Sequence, residues 1–181
     1  MRPAASIRVQ GAISAFGLAE YGDVARALVA EAKQPWGKTM LRWWAAGLAA
    51  ASPDEIDVIT WVPASRSGRK LRGHDQGQVL AREVARLLGR PARQAFRRAD
   101  HQNQTGKSRY ARLKGPNLET TAQASGLRVL VVDDVHTTGT TVWSAASLLR
   151  STGAESVHVR VLTVVADVQD LADATSAANR I

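Results

Sequence analysis

The 181-residue chain contains no cysteine. That absence excludes a disulfide scaffold, a thiolate nucleophile and a zinc ribbon built from cysteines. No apolar run reaches the roughly 18 to 20 residues needed to cross a bilayer, and the opening MRPAASIRVQGAIS lacks a continuous apolar signal core. The expectation is a cytoplasmic protein that meets no membrane. The full P-loop pattern Gly-x-x-x-x-Gly-Lys-Ser/Thr is also missing. His74, His101, His136 and His158 are not spaced as a metal cluster, and only His136 is a candidate neighbour of a ligand.

What remains is ordinary for one compact domain: 45% hydrophobic and 22% charged residues. A single domain over 1–181 is expected, with 166–181 as a tail. The charge is not evenly spread. The formal net charge is +8, yet residues 63–117 hold 14 Lys and Arg against three acids, a surplus of +11 that leaves the rest at −3. Much of the excess falls in two loop-like stretches, 63–76 and 96–117, suited to converge on a polyanionic ligand.

Periodicity predicts amphipathic helices over 20–33 and 38–50, the first with its apolar positions at Tyr21, Val24, Ala25, Leu28, Val29 and Ala32. Asp57–Val62 reads as a buried strand stopped by Pro63. A helix over Gln76–Leu88 follows, with Val79, Leu80, Val84, Leu87 and Leu88 inward, then a short strand near Ala92–Arg97. Residues 98–125 lack apolar periodicity and read as an excursion outside the core. Arg128–Val132 is the clearest strand, Thr141–Thr152 a helix closed by Gly153, and Ser156–Val165 a further strand. The alternation implies an α/β fold, a mostly parallel sheet flanked by helices on both faces. Trp36, Met40 and Trp43 fall at helical spacing, which favours core or subunit packing over stacking on bases.

The segment that carries chemistry is VLVVDDVHTTGTT, 129–141. Four apolar residues reach the C-terminal edge of the sheet, where open parallel sheets bind ligands. Thr137, Thr138, Gly139, Thr140 and Thr141 then offer backbone N–H groups, hydroxyls and a helix N-terminus, which suit a phosphate monoester. Asp133 and Asp134 can accept hydrogen bonds from vicinal sugar hydroxyls, directly or with a magnesium ion nearby. The competing explanation makes the acids a turn and a threonine a helix cap.

This run resembles the phosphoribosyl pyrophosphate (PRPP) motif of type I phosphoribosyltransferases, and the chain over about 15–165 is similar to their ComF (competence protein F) branch. Further matches are Tyr21-Gly22 with Lys33, Val62-Pro63, Arg72-Gly73-His74-Asp75-Gln76, Gln104-Thr105 and Arg112. The resemblance implies a type I phosphoribosyltransferase-like fold, with the PRPP monoester phosphate on 137–141 and the ribose on Asp133 and Asp134. It places the magnesium-bridged diphosphate near Ser65, Arg66, Arg69, Lys70 and Arg72. Asp133, Asp134 and Arg72 are then the candidate catalytic residues, and the two acids the candidate magnesium contacts, through ribose hydroxyls or water. Lys107, Arg109 and Arg112 would reach the diphosphate from a closing loop. Thr137 stands where relatives that salvage hypoxanthine and guanine carry an acid, so their base specificity is not expected.

Two functions follow from the resemblance. One is Mg²⁺-dependent transfer of a 5-phosphoribosyl group to a nitrogenous, nucleobase-like acceptor with release of pyrophosphate. The other is a non-catalytic accessory role in competence and DNA uptake, with single-stranded DNA or partner proteins along the basic segment. A homodimer is compatible with either.

Overall fold

The computed structural model describes residues 6–20, 22–34, 36–98, 118–121, 123–136 and 140–165. In chain order the elements are β1 (Ser6–Ile7), β2 (Ser14–Glu20), α1 (Asp23–Ala32), α2 (Lys38–Ala50), β3 (Val58–Trp61), α3 (Arg66–Arg72) and α4 (Gln76–Leu88). They continue with β4 (Phe96–Arg98), β5 (Leu118–Thr120), β6 (Arg128–His136), α5 (Thr140–Ser151) and β7 (Ser156–Val164). One sheet runs β1-β2-β7-β6-β3, parallel except for β1, which pairs antiparallel with β2 at the edge.

The uninterrupted valine and leucine run of β6 follows from burial on both sides, since successive side chains of a strand point to opposite faces. Val129 and Val131 pack into one apolar cluster with Val157, Val159 and Val161 of β7 and with Val142, Ala145 and Leu149 of α5. Leu130 and Val132 belong to the other, with Ile59 and Trp61 of β3, Leu41, Ala45 and Leu48 of α2, and Leu80 and Val84 of α4. Helices therefore cover both faces, as the α/β reading requires. The start of β6 is tied to β3 by Arg128, whose guanidinium donates to Asp57 at 2.9 Å and to Glu55 at 3.0 Å. The bonds from Arg128 hold the Asp57 carboxyl down to about 2.

The structure corrects several expectations. Residues 63–76 are not simply loop, because Ser65 caps α3 through its Oγ, which accepts from the Gly68 N–H at 3.1 Å, and Gly73 closes it at φ +70°. The excursion 98–125 rejoins the core early: β5 pairs antiparallel with β4, and Leu118 and Ala124 are buried with Phe96. The strand expected near Ala92–Arg97 is β4, and it lies in this separate two-stranded sheet, while Ala92 only bridges Ile59. Trp36 and Trp43 are 65% and 83% exposed, so they are not core of this chain. Val24 and Leu87 are exposed as well. Strands β1 and β2 lay outside the sequence reading, since β2 alternates small and large apolar residues with little β-branching. Tyr21, Gln104, Thr105, His101 and the tail 166–181 lie outside the described residues, as does the side chain of His136.

Candidate functional site

Strands β3 and β6 are parallel neighbours, with Trp61 opposite Val132, so both chains leave the sheet at one C-terminal edge. Beyond β3 the chain passes Val62 and Pro63 to Ala64 and Ser65. The Asp75 carboxylate, buried at the start of α4, fastens this turn: one oxygen accepts from the Ala64 N–H at 2.9 Å and the other from the Gln78 N–H at 3.2 Å. One side chain thus caps α4 and holds the loop against it. Gly77 lets the first turn of α4 lie on the strand end, since a Cβ there would stand 3.1 Å from the Val62 carbonyl oxygen and 3.3 Å from the Trp61 Cβ.

These elements wall an open cleft of about 230 Å³ that is partly continuous with solvent. Ser65, Arg72 and Gln76 line it from the β3 side, Asp133, Asp134 and Thr141 from the β6 side, and Lys33 and Arg98 complete it. Lys33 follows α1 and places its Nζ 3.4 Å from an Asp134 carboxylate oxygen. Arg98 on β4 donates its Nε–H to the Pro63 carbonyl at 2.6 Å, which anchors it at the mouth of the same loop.

The two acids are not equivalent. Burial pushes the Asp133 carboxyl well above the ordinary carboxylate range, and the neighbouring Asp134 carboxylate pushes it further. The Asp134 N–H, donated to Asp133 at 2.9 Å, and the Arg98 guanidinium act in the opposite direction. Asp134 is balanced by Lys33, whereas Asp133 resists ionisation until positive charge arrives. Such a pair can accept hydroxyl hydrogens and sit beside a centre that turns cationic.

Of the residues singled out from the sequence, Ser65, Arg72, Asp133, Asp134 and Thr141 converge on the cleft. Thr140 opens α5 without lining it, and its carbonyl accepts from the Ser144 hydroxyl at 2.8 Å. Arg66, Arg69 and Lys70 lie on the exposed side of α3, between Ser65 and Arg72 but outside the lining. Thr137, Thr138, Gly139, Lys107, Arg109 and Arg112 lie outside the described residues. The sequence reading assigned no role to Lys33, Asp75, Gln76 or Arg98. The first three stood in matched motifs; Arg98 stood only in the basic stretch 96–117, and its place on β4, paired with β5, brings it to the cleft.

Residues 74–175 match the phosphoribosyl transferase domain family. The chain belongs to that family. This phosphoribosyltransferase-like chain is 30% identical over 103 residues to Competence protein ComFC of Bacillus subtilis, across 56% of its own length and 41% of the relative's. It is 34% identical over 119 residues to a chloroplastic amidophosphoribosyltransferase of Glycine max, across 63% of its length and 19% of that protein. The chain thus spans less than half the length of these curated relatives. Among solved structures it superposes on the allosteric regulatory enzyme of purine biosynthesis with a TM-score of 0.51 at 27% identity, over 69% of this chain and 26% of that one. An adenine phosphoribosyltransferase shares the fold, with a TM-score of 0.51 at 21% identity over 77% of this chain and 76% of that one. The fold is therefore of the type I phosphoribosyltransferase kind, and the chain falls in the ComF-like branch. Among the described residues, no helix is long and apolar enough to cross a membrane.

Proposed function

We propose that the cleft binds PRPP and that the protein transfers its 5-phosphoribosyl group to a nitrogenous acceptor, releasing pyrophosphate. The observation that carries this reading is the convergence of Asp133 and Asp134 with Ser65, Arg72 and Thr141 in one cleft at the ends of β3 and β6. In this reading the monoester phosphate takes the 137–141 loop at the start of α5, and the two acids accept from the ribose hydroxyls. The diphosphate lies toward Ser65 and Arg72, with Arg66, Arg69 and Lys70 of α3 adding positive field beyond them and Lys107, Arg109 and Arg112 serving the diphosphate from the segment before β5.

The C1–O bond to pyrophosphate breaks with its electron pair leaving on oxygen, and the acceptor nitrogen's lone pair forms the new C1–N bond as its proton departs. Asp133 and Asp134 lie beside the sugar as it gains oxocarbenium character, and Arg72 stabilises the charge gathering on the leaving group. Magnesium fits the donor set. Among the described residues no three His, Asp or Glu side chains gather as a cage, and magnesium is commonly held by one or two carboxylates together with ligand phosphates and water. Asp133 and Asp134 would hold it, directly or through ribose hydroxyls or water, and when bound it supplies charge neutralisation for the diphosphate.

The test is calorimetric titration of the protein with Mg-PRPP, then pyrophosphate release across a panel of bases. Replacing both acids, Asp133→Asn with Asp134→Asn, leaves an amide oxygen to accept at each position but removes the carboxylate charge, a difference of about 1 kcal/mol per bond, so PRPP affinity falls at least about tenfold. Unchanged binding in that variant refutes the ribose assignment.

The exposed Trp36 and Trp43 beside Lys38 and Arg42 favour a second reading, in which single-stranded DNA stacks on α2 and follows the basic surface. Steep loss of oligonucleotide affinity with salt, indifferent to Mg-PRPP, supports it. Salt-insensitive or absent binding removes it.

A further inference from the structure

Gln76 is the first residue of α4, only 4% exposed, and it lines the cleft. Its amide nitrogen is buried and finds no hydrogen-bond partner. The Nε of Arg72, four residues earlier and lining the same cleft, is buried and without a partner too. No acceptor of the described chain reaches either atom. Both oxygens of Asp75 take backbone N–H groups, from Ala64 and Gln78, and an Asp133 oxygen takes the N–H of Asp134. Buried polar groups in native folds are nearly always paired, so two orphan donors on residues that line one cavity call for an acceptor from outside the chain.

We propose that Gln76 is a specificity-determining residue: its side-chain amide and the Arg72 Nε–H together receive one phosphoryl oxygen of a diphosphate. The Gln76 NH₂ and the Arg72 Nε–H are both donors, so their shared guest is an acceptor, and the positive charge of Arg72 selects an anionic one. They stand on the β3 and α4 side of the cleft, across from Thr141 at the α5 end, so the oxygen belongs to the diphosphate and not to the sugar's monoester phosphate. The assignment rests on the PRPP reading above and adds to it the residue that distinguishes a diphosphate end from a bare hydroxyl.

The experiment titrates inorganic pyrophosphate and ribose 5-phosphate separately into the wild-type chain, Gln76→Leu and Gln76→Glu. Gln76→Leu weakens pyrophosphate about tenfold, the equivalent of about 1.4 kcal/mol, and leaves ribose 5-phosphate within about twofold, because only one ligand reaches the amide. The ratio holds at low and high salt, since the lost donor is uncharged. Gln76→Glu, of the same shape but accepting only, loses more. In wild-type protein the Gln76 side-chain NH₂ resonances move on addition of pyrophosphate, a readout that needs no variant to fold. If wild-type protein binds pyrophosphate but Gln76→Leu or Gln76→Glu binds it equally well, or the NH₂ resonances stay in place, water serves the amide and the inference fails while the PRPP reading stands. If wild-type protein binds neither PRPP nor pyrophosphate, both fail.

Discussion

Asp75 offers a prediction whose size follows from two hydrogen bonds. Asp75→Ala removes the N-cap of α4, worth typically about 1 kcal/mol, and strands the Ala64 N–H on a turn packed under the cleft, worth roughly 1–3 kcal/mol. The combined loss is about 3 kcal/mol, and at 2–4 °C per kcal/mol for a chain of this size the unfolding midpoint falls by roughly 6–12 °C. Asp75→Asn separates the two contributions. Its single carbonyl oxygen still caps Gln78, but its NH₂ group faces another donor at Ala64, so the loss is about 1–2 kcal/mol. Thermal unfolding by circular dichroism gives the totals, and amide hydrogen exchange assigns them: Asp75→Asn speeds exchange at Ala64 alone, Asp75→Ala at Ala64 and Gln78. Equal midpoints for the two variants, or Ala64 protected in both, would show that the carboxylate does not hold the loop.

Other consequences follow from burial and charge. The Asp133 carboxyl is raised, so the folded chain keeps a proton that the unfolded chain has already released; its contribution to stability is complete below the unfolded value near 3.9 and is lost as pH rises through the folded one. Asp133→Asn, which cannot ionise, should therefore gain on the parent as pH rises above about 4, by at most about 1.4 kcal/mol per pH unit while the folded chain keeps its proton, in urea titrations at each pH. A difference independent of pH would contradict the assignment. Phe96→Ala empties a fully buried site that joins the β4-β5 sheet to the core and should cost about 3–5 kcal/mol. Trp43→Ala on the exposed side of α2 should stay within about 0.5 kcal/mol. A large loss at Trp43 in a dilution-dependent transition would place that side chain in a subunit interface instead.

The parts of this protein legible in its sequence are those where one local pattern has one physical outcome. Helix α4 falls at Gln76–Leu88 as expected, because Asp75 can cap it, Gly89 can close it, and the apolar spacing between them matches a helical stripe. The strand β6 announced itself because a valine-rich run buried on both faces has few other uses, although it extends to His136, where pairing with β7 continues past the apolar residues. Helix α3 went unseen because its residues bury no side chain, leaving no periodicity to read. Strand β2 went unseen because its identity comes from pairing with β7, some 140 residues away.

The sequence by itself therefore determined the α/β alternation, the family and the acid pair at the end of a strand, since each is written in neighbouring residues. Only the tertiary structure decided that Lys33, Gln76 and Arg98 face those acids, that Asp75 clasps a loop eleven positions before it, and that Trp43 looks outward. Contacts of that kind depend on how separate elements pack, and the packing is set by burial summed over the whole sheet rather than by any local spacing.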